Sequence, residues 1–176
     1  MTRLKASAVL AAGFLLMAAD DPPVMRVEAM PTVVDIDGVG AVKVGMTLAE
    51  VEKMGGKLVF DHPEEPVNQC TFGRFKFAPT LGFMLMHRVI VRVDVFEGAI
   101  KTAEGAGIGS SEDEVKRLYA NGRIEVSNHA YVEGHYLEVT MPGFTNHRYI
   151  FETDGKKVTA FRAGRLPEVG FVEGCA

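Results

Sequence analysis

Chemistry in this 176-residue chain would have to come from five histidines, two cysteines and a few carboxylate clusters, and their spacing decides how much. His62, His87, His129, His135 and His147 are scattered, with no H-E-x-x-H and no pair at helical ligand spacing. His62 beside Glu64 and Glu65 could in principle grip a metal, but such a loop cluster ordinarily serves solvation. His135 shares a strand with Leu137 and Val139, where a packed or rim histidine is the expected role. "DIDGVG" at 35–40 has two acids and a Gly but lacks the other calcium-loop ligands, so it reads as a turn. Gly105-x-Gly107-x-Gly109 precedes a helix without the P-loop Lys, and reads as a connector. No Ser sits in a G-x-S-x-G elbow. The expectation is a chain with no catalytic residue, no metal and no cofactor.

The first residues look like an address. Arg3 and Lys5 precede an uncharged, apolar run over 6–19, and the chain turns polar at Asp20-Asp21-Pro22-Pro23. A basic start and an apolar run shorter than a membrane span predict a signal peptide over 1–19. No Cys follows the run, so no lipid anchor is expected. The protein is expected to be periplasmic or secreted, without stable membrane insertion. In an oxidising compartment the two cysteines, Cys70 and Cys175, are expected to form a disulfide. Formal net charge is −4, and falls to −6 once Arg3 and Lys5 leave with the signal. An acidic protein without a basic run argues against nucleic acid as a partner.

The elements that must position any site are written twice. "VGMTLAEVEKMGG" begins at Val44 and "IGSSEDEVKRLYANG" at Ile108, with Thr47 and Ser111 64 positions apart. Thr47-x-x-Glu50 and Ser111-x-x-Glu114 both read as capping boxes, in which the hydroxyl accepts an amide of the first turn and the Glu reaches back. Helices are predicted over 48–54 and 112–120, ended by Gly55-Gly56 and Asn121-Gly122. After each come three β-rich runs: "CTFGRFKF", "LGFMLM" and "RVIVRVDV", then "HYLEVTM", "HRYIFE" and "KKVTAFRAG". Asp154-Gly155 carries a type I′ hairpin signal, and His87-Arg88 sits at the equivalent turn of the first half. The division expected is a segment over 20–40, a first repeat over 41–100 and a second over 101–176.

The aliphatic-Gly-x-Thr entry "VGMTLAEVE", before a short helix and a meander, resembles the module of the BamE-like outer-membrane assembly lipoproteins. Two copies in tandem resemble the secreted beta-lactamase-inhibitor-protein architecture. The resemblance covers about residues 40–176. It implies an α+β fold in which two repeats build one curved antiparallel sheet, with helices on one face and the other open to partners. The chain departs from the first family by lacking the lipoprotein Cys, and from the second by having two Cys and no Trp.

Alternation then selects a binding face. Val91, Val93 and Val95 oppose Arg92 and Asp94, while Leu137 and Val139 oppose Tyr136, Glu138 and Thr140. Arg92, Asp94, Tyr136, Glu138 and Thr140 are therefore expected on a polar face. Tyr and Arg are enriched at protein interfaces. The function expected is non-catalytic recognition of a protein partner, inhibitor-like or envelope-assembly-like. A lectin-like, glycan-binding module is the alternative.

Overall fold

The computed structural model describes residues 33–62 and 69–175. The expected signal peptide and most of the 61–69 loop lie outside the described residues. Within them the strands are β1 (Val33–Asp35), β2 (Gly38–Val39), β3 (Val42–Lys43), β4 (Leu58–Phe60), β5 (Cys70–Phe75), β6 (Ala78–Met86), β7 (Val89–Val95), β8 (Lys101–Thr102), β9 (Arg123–Asn128), β10 (His135–Thr140), β11 (His147–Thr153) and β12 (Val158–Arg165). The helices are α1 (Leu48–Lys53) and α2 (Glu112–Leu118), and a single 3-10 turn follows at Glu168–Gly170.

This architecture corrects the α+β expectation of one sheet with helices. The described residues are mostly strand and make two sheets, one of four strands (β3-β2-β1-β8) and one of eight (β4-β5-β6-β7-β12-β11-β10-β9). Two physical reasons account for the difference. Each capped helix stops after six or seven residues, at Met54 and Tyr119, so helix contributes little. Segments taken for turn or connector, 35–40 and 97–107, instead supply strands of the small sheet, where β1 pairs antiparallel with β2 and parallel with β8. Each meander also has a fourth strand, β4 or β9, that its short or charged sequence hid.

The two openings are docked alike. Gly45 N–H donates to Ile90 O and Gly109 N–H to Val158 O, both at 2.8 Å; Ile90 and Val158 return bonds to the carbonyls of Met46 and Ser110. Each helix entry is thereby clipped to the last strand of its own meander, β7 or β12. The clip requires φ of +97° at Gly45 and +89° at Gly109, a region glycine occupies without a Cβ clash. Thr47 completes a capping box with Glu50, whereas Ser111 makes one half, accepting from Glu114 N–H. The I′ geometry falls at His87 and Arg88, both at positive φ, and not at Asp154-Gly155, where the Asp154 carboxylate accepts from the amides of Lys156 and Lys157.

The meanders join edge to edge through β7 and β12, with Phe161 opposite Val95 and Ala163 opposite Val93. One core therefore runs across both halves. Leu48, Val51 and Val115 from the helices pack with Phe75, Phe83, Tyr119, Tyr149, Phe151 and Phe161. Each fully buried apolar side chain contributes about 1.5–3 kcal/mol.

Candidate functional site

On the opposite, outer face of the large sheet, register sets Met84, Arg92, Gly164 and Arg148 in one row across β6, β7, β12 and β11. The next row holds Gly82, Asp94, Arg162, Ile150 and Glu138. A third holds Ala160, Glu152 and Tyr136. All five expected residues thus share one face, yet their surroundings differ.

Arg92 and Asp94 are each only 3% exposed. The Arg92 guanidinium grips Asp94 through Nε at 3.0 and 2.9 Å and Nη2 at 2.8 Å. Burial pushes the Asp94 carboxyl up, and the charges of Arg92 and Arg162 pull against that shift. What buries the pair is the chain's own C-terminal segment, 166–175, which crosses the outer face as a strap. Arg92 Nη1 donates to the carbonyls of Glu168 (3.1 Å) and Phe171 (2.7 Å), and Arg162 Nε donates to Val169 O (2.7 Å). Val169 packs against Tyr136 and Ile150. The Cys70–Cys175 disulfide, 105 residues apart in sequence, ties the far end to β5. The expected charged surface is therefore an internal layer, satisfied by backbone carbonyls. Strand alternation places a side chain on a face but cannot reveal a later segment lying over it.

Tyr136 is 8% exposed, with its ring stacked on His129 at 4.4 Å and under the Arg162 guanidinium at 5.8 Å. His129 Nδ1 accepts from Tyr131 N–H at 3.1 Å, so its proton sits on Nε2, toward Glu152 at 3.5 Å. Glu152 also pairs with Arg162. Glu138 and Thr140 stay partly open; Glu138 accepts from Arg148 Nε at 2.9 Å.

Around the strap, four large apolar side chains remain exposed: Tyr131 at 64%, Val132 at 56%, and Phe171 and Val172 at 39%. The Tyr131 hydroxyl donates to the Glu173 carboxylate, which holds the β9–β10 loop against the strap. Beside them lies an open recess of about 570 Å³ lined by Asn128, His129, Glu133, His135 and Asp154 among others. His135 Nδ1 lies 2.7 Å from Glu112, which also accepts from Thr153 at 2.6 Å. That arrangement orients an imidazole at the recess edge. Among the described residues no group of three His, Cys, Asp or Glu side chains could hold a metal ion, and no helix is long and apolar enough to cross a membrane.

No family model and no curated protein matches the chain. Among solved structures it is similar to the uncharacterized protein yfeY from Escherichia coli, at 16% identity and a TM-score of 0.46, over 76% of this chain and 99% of that one.

Proposed function

We propose that the protein is an exported, non-catalytic binding protein that engages a protein partner at the margin of its C-terminal strap. Export rests on the basic and apolar character of residues 1–19. The observation that carries the binding reading is the exposure of Tyr131, Val132, Phe171 and Val172, brought together by the Tyr131–Glu173 contact. Exposed apolar side chains with a polar rim are characteristic of interaction sites, and Tyr is a favoured anchor at them. Glu138 and Thr140 lie partly open on the same face, opposite Glu125 and Arg123 of β9. Arg92 and Asp94 serve it indirectly, by fixing the strap.

A second reading is favoured by the adjacent recess, where Asn128, Glu133, His135 and Asp154 beside Tyr131 offer the polar groups and aromatic ring that bind a sugar. Photo-crosslinkers placed at positions 131 and 172 in the native host, with position 59 at the far end of the sheet as control, separate the two. A discrete protein adduct from 131 and 172 but not 59 supports the first reading. Absence of such an adduct, with retention of the pure protein on a glycan array, favours the second.

A further inference from the structure

The end strand of the large sheet, β9, leaves one backbone edge open. Among the described residues it pairs with β10 alone, and five of its six residues are exposed, including Val126 at 49%. The phase of its backbone follows from one bond just beyond it: His129 N–H donates to Gly134 O at 2.9 Å, continuing the register in which Asn128 faces His135. Hydrogen-bonded pairs recur at every second residue of an antiparallel ladder. Arg123, Glu125 and Ser127 therefore turn their amides to β10, while Ile124, Val126 and Asn128 turn theirs outward.

Edges of this kind are usually blunted by Pro, by shortness or by repeated like charge. Here the outer-face charges alternate in sign: Arg123 and Glu125 pair with each other at 2.9 Å and stay 68% and 60% exposed. Such an edge does not repel its own copy. An antiparallel partner strand must keep outer-face residues opposite outer-face residues. Placing Glu125 opposite Glu125, or Arg123 opposite Arg123, brings like charges together, which destabilises. Setting Glu125 against Ser127 forms no ion pair. With Ile124 on a two-fold axis, Arg123 of each copy meets Glu125 of the other. The outward amide and carbonyl of Ile124 then bond across the axis.

We propose that β9 pairs antiparallel with β9 of a second copy in this register, joining two sheets into one continuous sheet. The seam rests on the β9 edge and its variants touch none of Tyr131, Val132, Phe171 and Val172, so the two readings stand or fall separately.

Sedimentation of the disulfide-intact protein tests the idea. The wild type should dimerise reversibly. Glu125→Arg and Arg123→Glu, both exposed changes, should each weaken self-association roughly tenfold or more, because two attractive pairs become repulsive. A 1:1 mixture of these two variants, and the double reversal Arg123→Glu/Glu125→Arg, should both restore dimers. Val126→Pro removes an amide that β10 does not use, and edge strands tolerate proline there, so it should melt normally and remain monomeric. A wild type that stays monomeric up to about 1 mM, a dimer indifferent to these changes, or a double reversal that fails to recover would overturn the proposal.

Discussion

Arg92 Nη1 lies 2.7 Å from the carbonyl oxygen of Phe171, 79 residues further along the chain. That contact, with the one to Glu168 O, makes a charged strand residue the anchor of the C-terminal strap. A guanidinium in this position has its charge balanced by Asp94 and its remaining donors taken by backbone. Its neighbour across the sheet, Gly164, leaves it the space: a Cβ there would come within 3.0 Å of the Arg92 Cβ.

The first prediction follows from that burial. Arg92→Ala should cost about 3–5 kcal/mol, since it leaves the Asp94 carboxylate buried without its partner. Urea melts read the loss directly. A change within about 0.5 kcal/mol, the usual result for an exposed site, would mean that the strap does not cover Arg92 in solution.

The same pair shows how far the sequence could be read. Its alternation assigned Arg92 and Asp94 to the face opposite Val91, Val93 and Val95; Val93 and Val95 do line the core, but a register shift in the β6–β7 pairing sets Ile90 there in place of Val91. Local patterning is a short-range property, whereas burial under Val169 depends on a segment more than seventy residues away whose own sequence has no strand or helix period. The Thr47 and Ser111 caps were legible because a cap is a four-residue motif with its own hydrogen bonds. Strands β4 and β9 were missed because the first has only three residues and the second alternates charge with apolar side chains at an open edge. The small sheet was missed because Gly40 and Gly105 read as turn, which they are, and Gly38 reads as turn although it lies in β2, while strands of two or three residues give no periodic signal.

A second prediction concerns the tie at the strap's end. Cys175→Ser should destabilise by about 2–5 kcal/mol, the range for a lost native disulfide. It should also loosen the strap locally. Amide exchange at 166–174 should rise in the variant before exchange in β7 or β12 does. Uniform exchange changes across the sheet, or peptide mapping that finds both thiols reduced in protein isolated from its native host, would count against the strap as a tied element.

The two helix entries differ by two hydrogen bonds, both to the Glu50 carboxylate, and their caps should differ accordingly. Thr47→Ala removes the acceptor for Glu50 N–H and the hydroxyl bond to the Glu50 carboxylate, while the backbone N–H of residue 47 can still donate to that carboxylate; Ser111→Ala removes only the acceptor for Glu114 N–H. Both losses should fall within about 0.5–2 kcal/mol, with Thr47→Ala the larger. The double variant should be close to the sum, as expected for separated sites. Equal or reversed costs in chemical melts would show that the hydroxyl bond to the Glu50 carboxylate contributes nothing beyond the single cap.

At the β6–β7 turn, Arg88 holds φ of +65° while its carbonyl accepts from Leu48 N–H at 2.8 Å, linking the turn to the start of α1. An L residue in that region costs about 1–2 kcal/mol. Glycine escapes the cost but adds roughly 0.5–1 kcal/mol of unfolded-chain entropy. Arg88→Gly should therefore stabilise by about 0.5–1 kcal/mol, read as a raised melting temperature. A destabilised variant would place the Arg88 side chain, not its backbone, in the leading role.

Acid should act through Glu112. Burial works to raise its carboxyl, but hydrogen bonds from Thr153 and His135, with the charges of His135 and Lys116, outweigh burial and hold it below its ordinary value of 4.5. A group depressed in the folded state binds its proton more readily once unfolded, so stability rises with pH through this range. The contribution is complete above about pH 4.5 and is lost as pH falls through the folded value. Glu50, held down mainly by the Thr47 amide, and Asp154, held down by the Lys157 and Lys156 amides, shift in the same direction. Glu112→Gln should therefore lower stability near neutrality and reduce, without abolishing, the acid slope. Once pH falls below the folded value the variant and wild type should converge, because the wild-type carboxyl is then protonated as well. Urea melts at pH 7, 5, 4 and 3 supply the comparison. Parallel curves, with the same gap at every pH, would mean that Glu112 acts through packing at the first turn of α2 rather than through its charge.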